Sequence, residues 1–241
     1  MKKAAILIFG VYREFAEVRD KWCDIEQLYD CDYYMSTWDV SSQKYEDSKE
    51  YKTFYVTSDM ITDYLPNCVF EILNQKEIFP IPAKNNANYL FYHWQNVYRL
   101  MEESNKKYDI VFLVRADGDL VINKSDEYVR GWCSNHIDEL YSSSHMLVYE
   151  LNPLILFATD TFLFGSPNVM GKVIKTLPDM MDITLDIGIS SHIYLANHMI
   201  KIGIRPTANH PFSSNFHRPF KSNKIEKIVV DSIKKNTKKL I

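Results

Sequence analysis

Residues 108–122 have the sequence YDIVFLVRADGDLVI, and this stretch decides the type of fold that we predict. The apolar run at 110–114 predicts a strand buried on both faces, because a half-exposed strand would alternate apolar and polar residues. Charged residues follow at once, with Arg115 before Asp117 and Asp119. Open α/β folds keep their ligand sites beyond the carboxyl ends of the strands. The stretch therefore predicts an α/β protein with a polar ligand at the end of this strand.

The two acidic residues of this stretch are candidate metal ligands. Gly118 separates them and lets the chain bend, so that Asp117 and Asp119 turn toward one divalent cation. Such a cation stabilises the charge that accumulates on a departing diphosphate, and oxygen ligands favour Mn²⁺ or Mg²⁺. An acid-x-acid triplet in a surface turn is often only solvated charge. Its position after a buried strand and Arg115 favours the metal and diphosphate interpretation.

The composition predicts one globular domain and limits the classes of partner. The chain has 241 residues, of which 46% are hydrophobic and 24% charged, which is enough for a sizeable core. Its formal net charge of −3 argues against a nucleic-acid-binding protein, which is usually basic. The four cysteines form no C-x-x-C pair, so we expect neither a zinc site nor a disulfide framework. Reduced thiols, and no run near the roughly 18 apolar residues that span a bilayer, predict a cytoplasmic protein.

The first part of the chain predicts a β-α-β unit. An apolar run at 4–9 closed by Gly10 predicts the first buried strand and a turn. Apolar residues recur at helical spacing over 15–28, and 32–39 has the pattern of a second strand that ends in polar groups. This order favours a parallel pair of strands with a nucleotide-binding type of sheet. Residues 69–73 are a candidate third strand.

The remaining elements continue the α/β pattern. We expect a surface loop or a poorly ordered helix at 41–51, and an amphipathic aromatic helix at 89–105 that leads into the acidic strand. A further strand at 159–167 turns into a helix. Another helix covers 190–202 and is closed by Gly203.

The C-terminal segment 221–241 differs in composition, with seven lysines against two acidic residues. Ile225, Ile228, Val229 and Ile233 place an apolar stripe on one face, which predicts a basic amphipathic helix. The stripe packs on the domain in one interpretation. In the other, the helix makes a peripheral contact with an anionic membrane surface or a partner.

Several of these segments together resemble small bacterial and viral glycosyltransferases of the GT-A fold, which are nucleotide-sugar enzymes of surface-polysaccharide and glycan synthesis. The segments are AAILIFGVYR at 4–13, YMSTWD at 34–39, YDIV at 108–111, RAD at 115–117 and D-x-F-x-F-G-S at 160–166. The resemblance implies a single GT-A-like domain over 1–220, with a Rossmann-like central mixed β-sheet flanked by helices. Its nucleotide-binding half is 1–122 and its acceptor half 123–220, with the basic helix 221–241 appended.

The resemblance also implies site residues. It places Gly10 and Arg13 beside the donor nucleotide and Thr37 and Trp38 close to its base or ribose. The predicted nucleotide-sugar residues are Gly10, Arg13, Thr37, Trp38, Arg115 and Asp117, and the predicted metal ligands are Asp117, Asp119 and His217. Such proteins often carry only Arg-x-Asp at this position, which leaves open whether Asp117, Asp119 or both contact the metal. By their chemistry alone, Arg13 is either a diphosphate ligand or a surface arginine, and Trp38 either stacks on a base or belongs to the core.

The second half supplies acceptor-side and late metal candidates. Asp160 and Asp186 are candidates for orienting or deprotonating the acceptor hydroxyl, with a turn or cap role as the alternative. A late histidine commonly completes the metal site in GT-A enzymes, which makes His217, and after it His210, a candidate ligand. The other histidines, His93 among them, are interpreted as ordinary helix or surface residues.

The predicted function is metal-dependent transfer of a hexose from a nucleoside diphosphate sugar, most simply a UDP-sugar, to a glycan or polysaccharide hydroxyl. Two alternatives are weighed against it. A nucleotidyltransferase acting on sugar phosphates also needs acids and a metal, but the Gly-rich, Lys-bearing phosphate loop is missing at 10–13. A non-catalytic glycan-binding or partner-binding protein would keep the fold without the ion.

Overall fold

The computed structural model of the chain describes most of its first half and separate segments of its second. The described residues are 1–13, 15–44, 51–118, 121–122, 141–142, 162–182, 191–204 and 212–213. Several predictions lie outside these residues, namely those for Asp119, Asp160, Asp186, His210, His217 and the segment 221–241.

The described chain contains both helices and strands, mixed along its length. The elements are β1 (Lys2–Phe9), α1 (Phe15–Arg19), a 3₁₀ turn (Asp20–Trp22), α2 (Cys23–Leu28), β2 (Tyr29–Trp38), β3 (Val40–Lys44), β4 (Tyr51–Tyr55), α3 (Ser58–Thr62), β5 (Val69–Leu73), α4 (Gln75–Ile78), α5 (Asn86–Glu103), β6 (Ile110–Arg115), β7 (Val121–Ile122), β8 (Tyr141–Ser142), β9 (Phe162–Gly165), α6 (Pro167–Lys175), α7 (Ser191–Lys201) and β10 (Phe212–Ser213). The α/β class is therefore confirmed.

A mixed six-stranded sheet in the order β5-β2-β1-β6-β9-β8 forms the centre. β1 pairs in parallel with β2 and β6, and β2 pairs in parallel with β5. β9 is antiparallel to β6 and to β8. The parallel strands run on both sides of β1, so the chain reverses its direction of strand addition between β1 and β6. In open α/β sheets this reversal creates a crevice at the carboxyl ends of the strands.

The two faces of the sheet are covered by different helices. Leu7 and Phe9 of β1 belong to the core cluster that includes α5, whereas Ile6 and Ile8 belong to the cluster that includes α1 and α2. This alternation follows from the period of two along a strand. It explains why 110–114 is apolar at every position, since β6 is buried on both faces.

Helix α5 is the largest element on its face of the sheet. The side chain of Asn85 caps it by accepting a hydrogen bond from the Ala87 amide at 3.0 Å. Trp94 is fully buried and packs edge-on against Phe9, with ring centroids 5.6 Å apart. Burying a side chain of this size contributes about 2–3 kcal/mol to folding. α5 is thereby fixed across β1, with its N-terminus near the carboxyl edge of the sheet.

The prediction for residues 41–51 is wrong for the described part of that segment. Val40–Lys44 and Tyr51–Tyr55 form an antiparallel pair, in which Val40 lies opposite Tyr55. The mostly polar sequence of this ribbon lacks the apolar alternation that identifies a strand. One anchor is Ser41, a buried residue whose hydroxyl donates to the Tyr12 carbonyl at 2.5 Å.

Candidate functional site

The carboxyl edge of the sheet holds a pocket of about 310 Å³ at the point where strand addition reverses. Its lining comes from the last residues of β2 and β6, from the segments that follow β1 and β5, and from the first turns of α5. The lining residues are Gly10, Val11, Arg13, Trp38, Gln75, Asn86, Tyr89, Leu90, His93 and Arg115. Two of these described residues are arginines and none is acidic. The pocket therefore favours an anionic ligand.

Gly10 forms the turn that brings the chain from β1 to the pocket. Its φ of +99° is rarely adopted by other residues, and its amide donates to the Ser36 carbonyl of β2 at 3.1 Å. The chain then turns again, with the Arg13 amide donating to the Val11 carbonyl at 2.8 Å. Nε of Arg13 is buried and has no hydrogen-bond partner among the described residues. These turns therefore carry a guanidinium with an unused donor to the pocket.

Arg115 and Asp117 form an ion pair at the end of β6. Nη2 of Arg115 donates to Oδ2 of Asp117 at 2.5 Å, and the carboxylate is almost fully buried. Oδ1 of Asp117 has no hydrogen-bond partner within the described part of the chain. A buried carboxylate oxygen without a donor is costly unless a ligand meets it.

The turn that carries Asp117 is fixed from two sides. The Ala116 amide donates to the Phe9 carbonyl at 3.0 Å, which ties the turn to β1. Nε1 of Trp22 donates to the Gly118 carbonyl at 3.3 Å, and Trp22 is itself buried. The carboxylate is therefore held in place by the backbone around it.

Trp38 belongs to the core and also lines the pocket, while stacking on a base stays a prediction. It is only 4% exposed and packs among the rings of Phe79, Tyr89, Tyr92 and His93, so it belongs to the core. It also lines the pocket at the end of β2. Its burial leaves little of the indole for stacking on a base, whereas Tyr89 beside it is half-buried.

Thr37 is the one described candidate that lies away from the pocket. It is fully buried, and the alternation along β2 turns it to the face of Met35, opposite the face of Ser36 and Trp38. Gly10, Arg13, Trp38 and Arg115 are brought together as pocket residues, with Asp117 bonded to Arg115 behind them.

His93 is a pocket residue that sequence reasoning missed. It is 1% exposed rather than an ordinary helix or surface residue, and Nδ1 lies 2.7 Å from the Ser36 hydroxyl. Burial lowers the pKa of His93 to about 3, so the ring is neutral at physiological pH. The helical spacing of Asn86, Tyr89, Leu90 and His93 was the available signal, because these positions share one face of α5.

The described residues contain no group of three or more His, Cys, Asp or Glu side chains that could hold a metal ion. Asp117 is the only one of the three predicted ligands that they include. Its unpartnered, buried Oδ1 fits the oxygen ligand that Mg²⁺ or Mn²⁺ prefers. The metal site stays a prediction that needs Asp119 or His217 in addition.

No protein-family model matches the sequence, and no curated protein matches it significantly. Over the described residues, no helix has the length and apolar character needed to cross a membrane. Cys31 and Cys68 are free thiols.

Proposed function

We propose that the pocket binds a nucleoside diphosphate sugar and that the protein transfers the sugar to an acceptor hydroxyl. The observation that carries this proposal is that two arginines, Arg13 and Arg115, line the same pocket as the aromatic side chains of Trp38 and Tyr89. A ligand with an anionic part and a planar part matches this lining.

The pocket has three sources of positive potential for a phosphate group. Arg13 and Arg115 supply guanidinium groups, which bind phosphate oxygens in a bidentate manner. Asn86, the first residue of the 18-residue helix α5, also lines the pocket. The helix N-terminus presents amide donors and the positive end of the helix dipole.

The proposed base site at Trp38 lies at a suitable distance from the proposed phosphate site at Arg115. Arg115 ends β6 and Trp38 ends β2, and these strands flank β1 on opposite sides. Two inter-strand spacings correspond to roughly 10 Å. This separation allows a nucleotide to lie across the end of β1, above Gly10, whose missing side chain leaves the approach open.

A divalent cation completes the proposed site. Asp117 would hold it through Oδ1, with Asp119 and His217 as the further ligands predicted from the sequence. When bound, Mn²⁺ or Mg²⁺ stabilises the negative charge that develops on the leaving diphosphate. Arg115 keeps the Asp117 carboxylate oriented through Oδ2. Asp160 and Asp186 remain the proposed acceptor-side residues.

Calorimetry with UDP and Mn²⁺ tests the binding part of the proposal. We expect the Arg13→Ala variant to bind UDP at least about tenfold more weakly, because a hydrogen bond to a charged group is lost. Lys107→Ala is the matched control, because Lys107 is exposed and precedes β6 at the opposite edge of the sheet. Equal weakening by both variants, or no binding of UDP by the unmodified protein, would contradict the proposal.

A panel of nucleotide sugars, assayed for Mn²⁺-dependent release of the nucleoside diphosphate, tests the catalytic part. Release identifies the donor and supports a transferase. Binding without release from any donor would identify a non-catalytic binding protein. Formation of pyrophosphate from a nucleoside triphosphate and a sugar phosphate would identify the nucleotidyltransferase instead.

A further inference from the structure

A chain of polar side chains runs from the surface of α5 to the pocket. It begins at Arg99, whose Nη2 donates to Oε1 of Glu71 at 2.6 Å and to Oδ1 of Asn96 at 2.9 Å. Because Oδ1 of Asn96 accepts, its amide nitrogen is the donor on the other side. That nitrogen donates to Oε2 of Glu71 at 2.9 Å and to the Ser36 hydroxyl at 3.0 Å. The orientation of the Asn96 amide is therefore fixed by three partner groups.

The Ser36 hydroxyl assigns the tautomer of His93. The Ser36 oxygen accepts a hydrogen from Asn96, and Nδ1 of His93, at 2.7 Å, is the acceptor that the described residues offer for the hydroxyl's own hydrogen. Nδ1 is then an acceptor, and the single proton of the neutral imidazole is on Nε2. Ser36 is fully buried and His93 is 1% exposed, so water does not compete for these bonds.

Nε2 of His93 is a buried donor that lacks an acceptor among the described residues. Buried polar groups in native proteins are nearly always bonded, and leaving one unbonded costs folding free energy. His93 lines the pocket and contacts Trp38, with ring centroids 4.2 Å apart. Since Nδ1 is taken by Ser36, Nε2 is the ring nitrogen left for a ligand.

We infer that His93 reads the base of the bound nucleotide by donating its Nε2 hydrogen to the base carbonyl that lies farthest from the ribose. This inference rests on the proposed function. His93 contacts Ser36 and Trp38 of β2, whereas Arg115 ends β6 on the other side of β1, and His93 is more deeply buried than Trp38 or Tyr89. The innermost side chain meets the outer edge of the base, which in a pyrimidine carries the substituent at position 4.

The fixed tautomer makes His93 a determinant of specificity. Uracil has a carbonyl oxygen at position 4 and accepts the hydrogen bond. Cytosine has an amino group there, which opposes one donor with another and leaves both unpaired. A site built to bond one group rejects the analogue that cannot form the bond. Uridine nucleotides therefore bind more tightly than cytidine nucleotides.

Titration calorimetry of the whole chain with UDP and with CDP, both with Mn²⁺, tests this inference. We expect UDP to bind at least about tenfold more tightly than CDP. His93→Phe keeps an aromatic ring, weakens UDP by about the same factor, and brings the ratio of the two affinities close to one. Tyr92→Phe is the matched control, since it removes a polar group from the neighbouring position of α5 and keeps the wild-type ratio.

The outcomes separate this inference from the proposed function. Equal affinity of the unmodified protein for UDP and CDP overturns the role of His93 and leaves the proposed function standing. Failure to bind either nucleotide overturns both. If His93→Phe does not fold, ¹⁵N spectroscopy of labelled histidine in the unmodified protein decides the matter. The Nε2–H tautomer of His93 at pH 7 supports the inference, and the Nδ1–H tautomer overturns it.

Discussion

The amino and carboxyl edges of the central sheet differ in whether their polar side chains have hydrogen-bond partners. At the amino edge, Asp32 accepts hydrogen bonds from Nζ of Lys106 at 2.7 Å and from the Tyr108 hydroxyl at 2.9 Å. The Tyr34 hydroxyl lies 2.6 Å from that of Tyr108 and donates to it, because Tyr108 uses its own hydrogen on Asp32. The protein supplies its own partners along this network.

At the carboxyl edge, three buried polar atoms in or beside the pocket have no hydrogen-bond partner among the described residues. They are Nε of Arg13, Nε2 of His93 and Oδ1 of Asp117. The two edges belong to the same strands, so neither strand propensity nor sheet geometry explains the contrast. Among the described residues, this contrast between a satisfied edge and an open edge supports the proposed ligand at the carboxyl edge.

The largest effect that we expect is at Asp117. Asp117→Asn keeps an amide oxygen that accepts from Arg115, but it removes the negative charge that the proposed metal needs. Sugar transfer at saturating Mn²⁺ should fall by about 100-fold or more. Asp109→Asn is the control, because Asp109 accepts the Lys3 amide at 2.7 Å on the opposite edge. Full metal-dependent activity of Asp117→Asn would contradict the proposal that the carboxyl edge holds the metal.

The second effect concerns stability in acid and arises from His93. Burial lowers the pKa of His93 to about 3, below the ordinary value of 6.5, so on acidification the unfolded chain takes up a proton before the folded one does. Stability is therefore lost as the pH falls from 6.5 toward 3, by about 1.4 kcal/mol for each pH unit.

Urea unfolding of the unmodified protein and of His93→Phe at pH 6.5 and 4.5 measures this loss. The difference between the free energies of unfolding of the two proteins should change by about 2–3 kcal/mol over this interval, because only the unmodified protein loses stability through His93. His198 has a lowered pKa as well, mainly through burial, but it is present in both proteins and cancels in the comparison. A constant difference between the two proteins would show that His93 takes up its proton at the same pH in the folded chain as in the unfolded one.

A third, smaller effect belongs to the amino edge. Burial alone would raise the pKa of Asp32, but hydrogen bonds from Lys106 and Tyr108 outweigh it and lower the pKa below 3.8. Asp32 thus stabilises the fold fully above that pH, and the contribution is lost as the pH falls through the lowered pKa. We expect Asp32→Ala to reduce the free energy of unfolding by about 1–2 kcal/mol at pH 7. The UDP affinity, measured by calorimetry, should be unchanged, and a loss of affinity would mean that the edges are coupled.

The central strands that form these edges could be predicted because a strand buried on both faces is apolar at consecutive positions. The runs at 4–9 and 110–114 lie within the buried strands β1 and β6. The candidate strand at 69–73 is β5, which lies at the edge of the sheet and is only partly buried. The turn glycine at Gly10 was equally visible, since it closes the first run. The ribbon of β3 and β4 was missed because its sequence is mostly polar and lacks the alternation of apolar and polar residues that predicts a strand.

Only those site residues whose position follows from the neighbouring sequence could be predicted. Arg13, Arg115 and Asp117 follow apolar strands directly, and their place at the carboxyl edge follows from that. The role of His93 depends on Ser36, which is 57 positions away, and on the rotation of α5 that brings the two together. Thr37 and Trp38 were grouped as neighbours, although adjacent residues of a strand point to opposite faces.

The smallest effect that we expect is at Lys106. It separates the contribution of the ion pair at the amino edge from that of the tyrosine hydrogen bonds. Lys106 is half exposed, so its ion pair with Asp32 is screened by solvent, whereas the Tyr108 hydroxyl needs its acceptor. Lys106→Ala should therefore reduce the free energy of unfolding by less than about 1 kcal/mol, and moderate salt should remove most of that difference. Urea unfolding at low and high ionic strength measures it, with Lys107→Ala as the neighbouring control. A loss as large as that of Asp32→Ala would mean that the charge pair, rather than the tyrosine hydrogen bonds, holds this edge together.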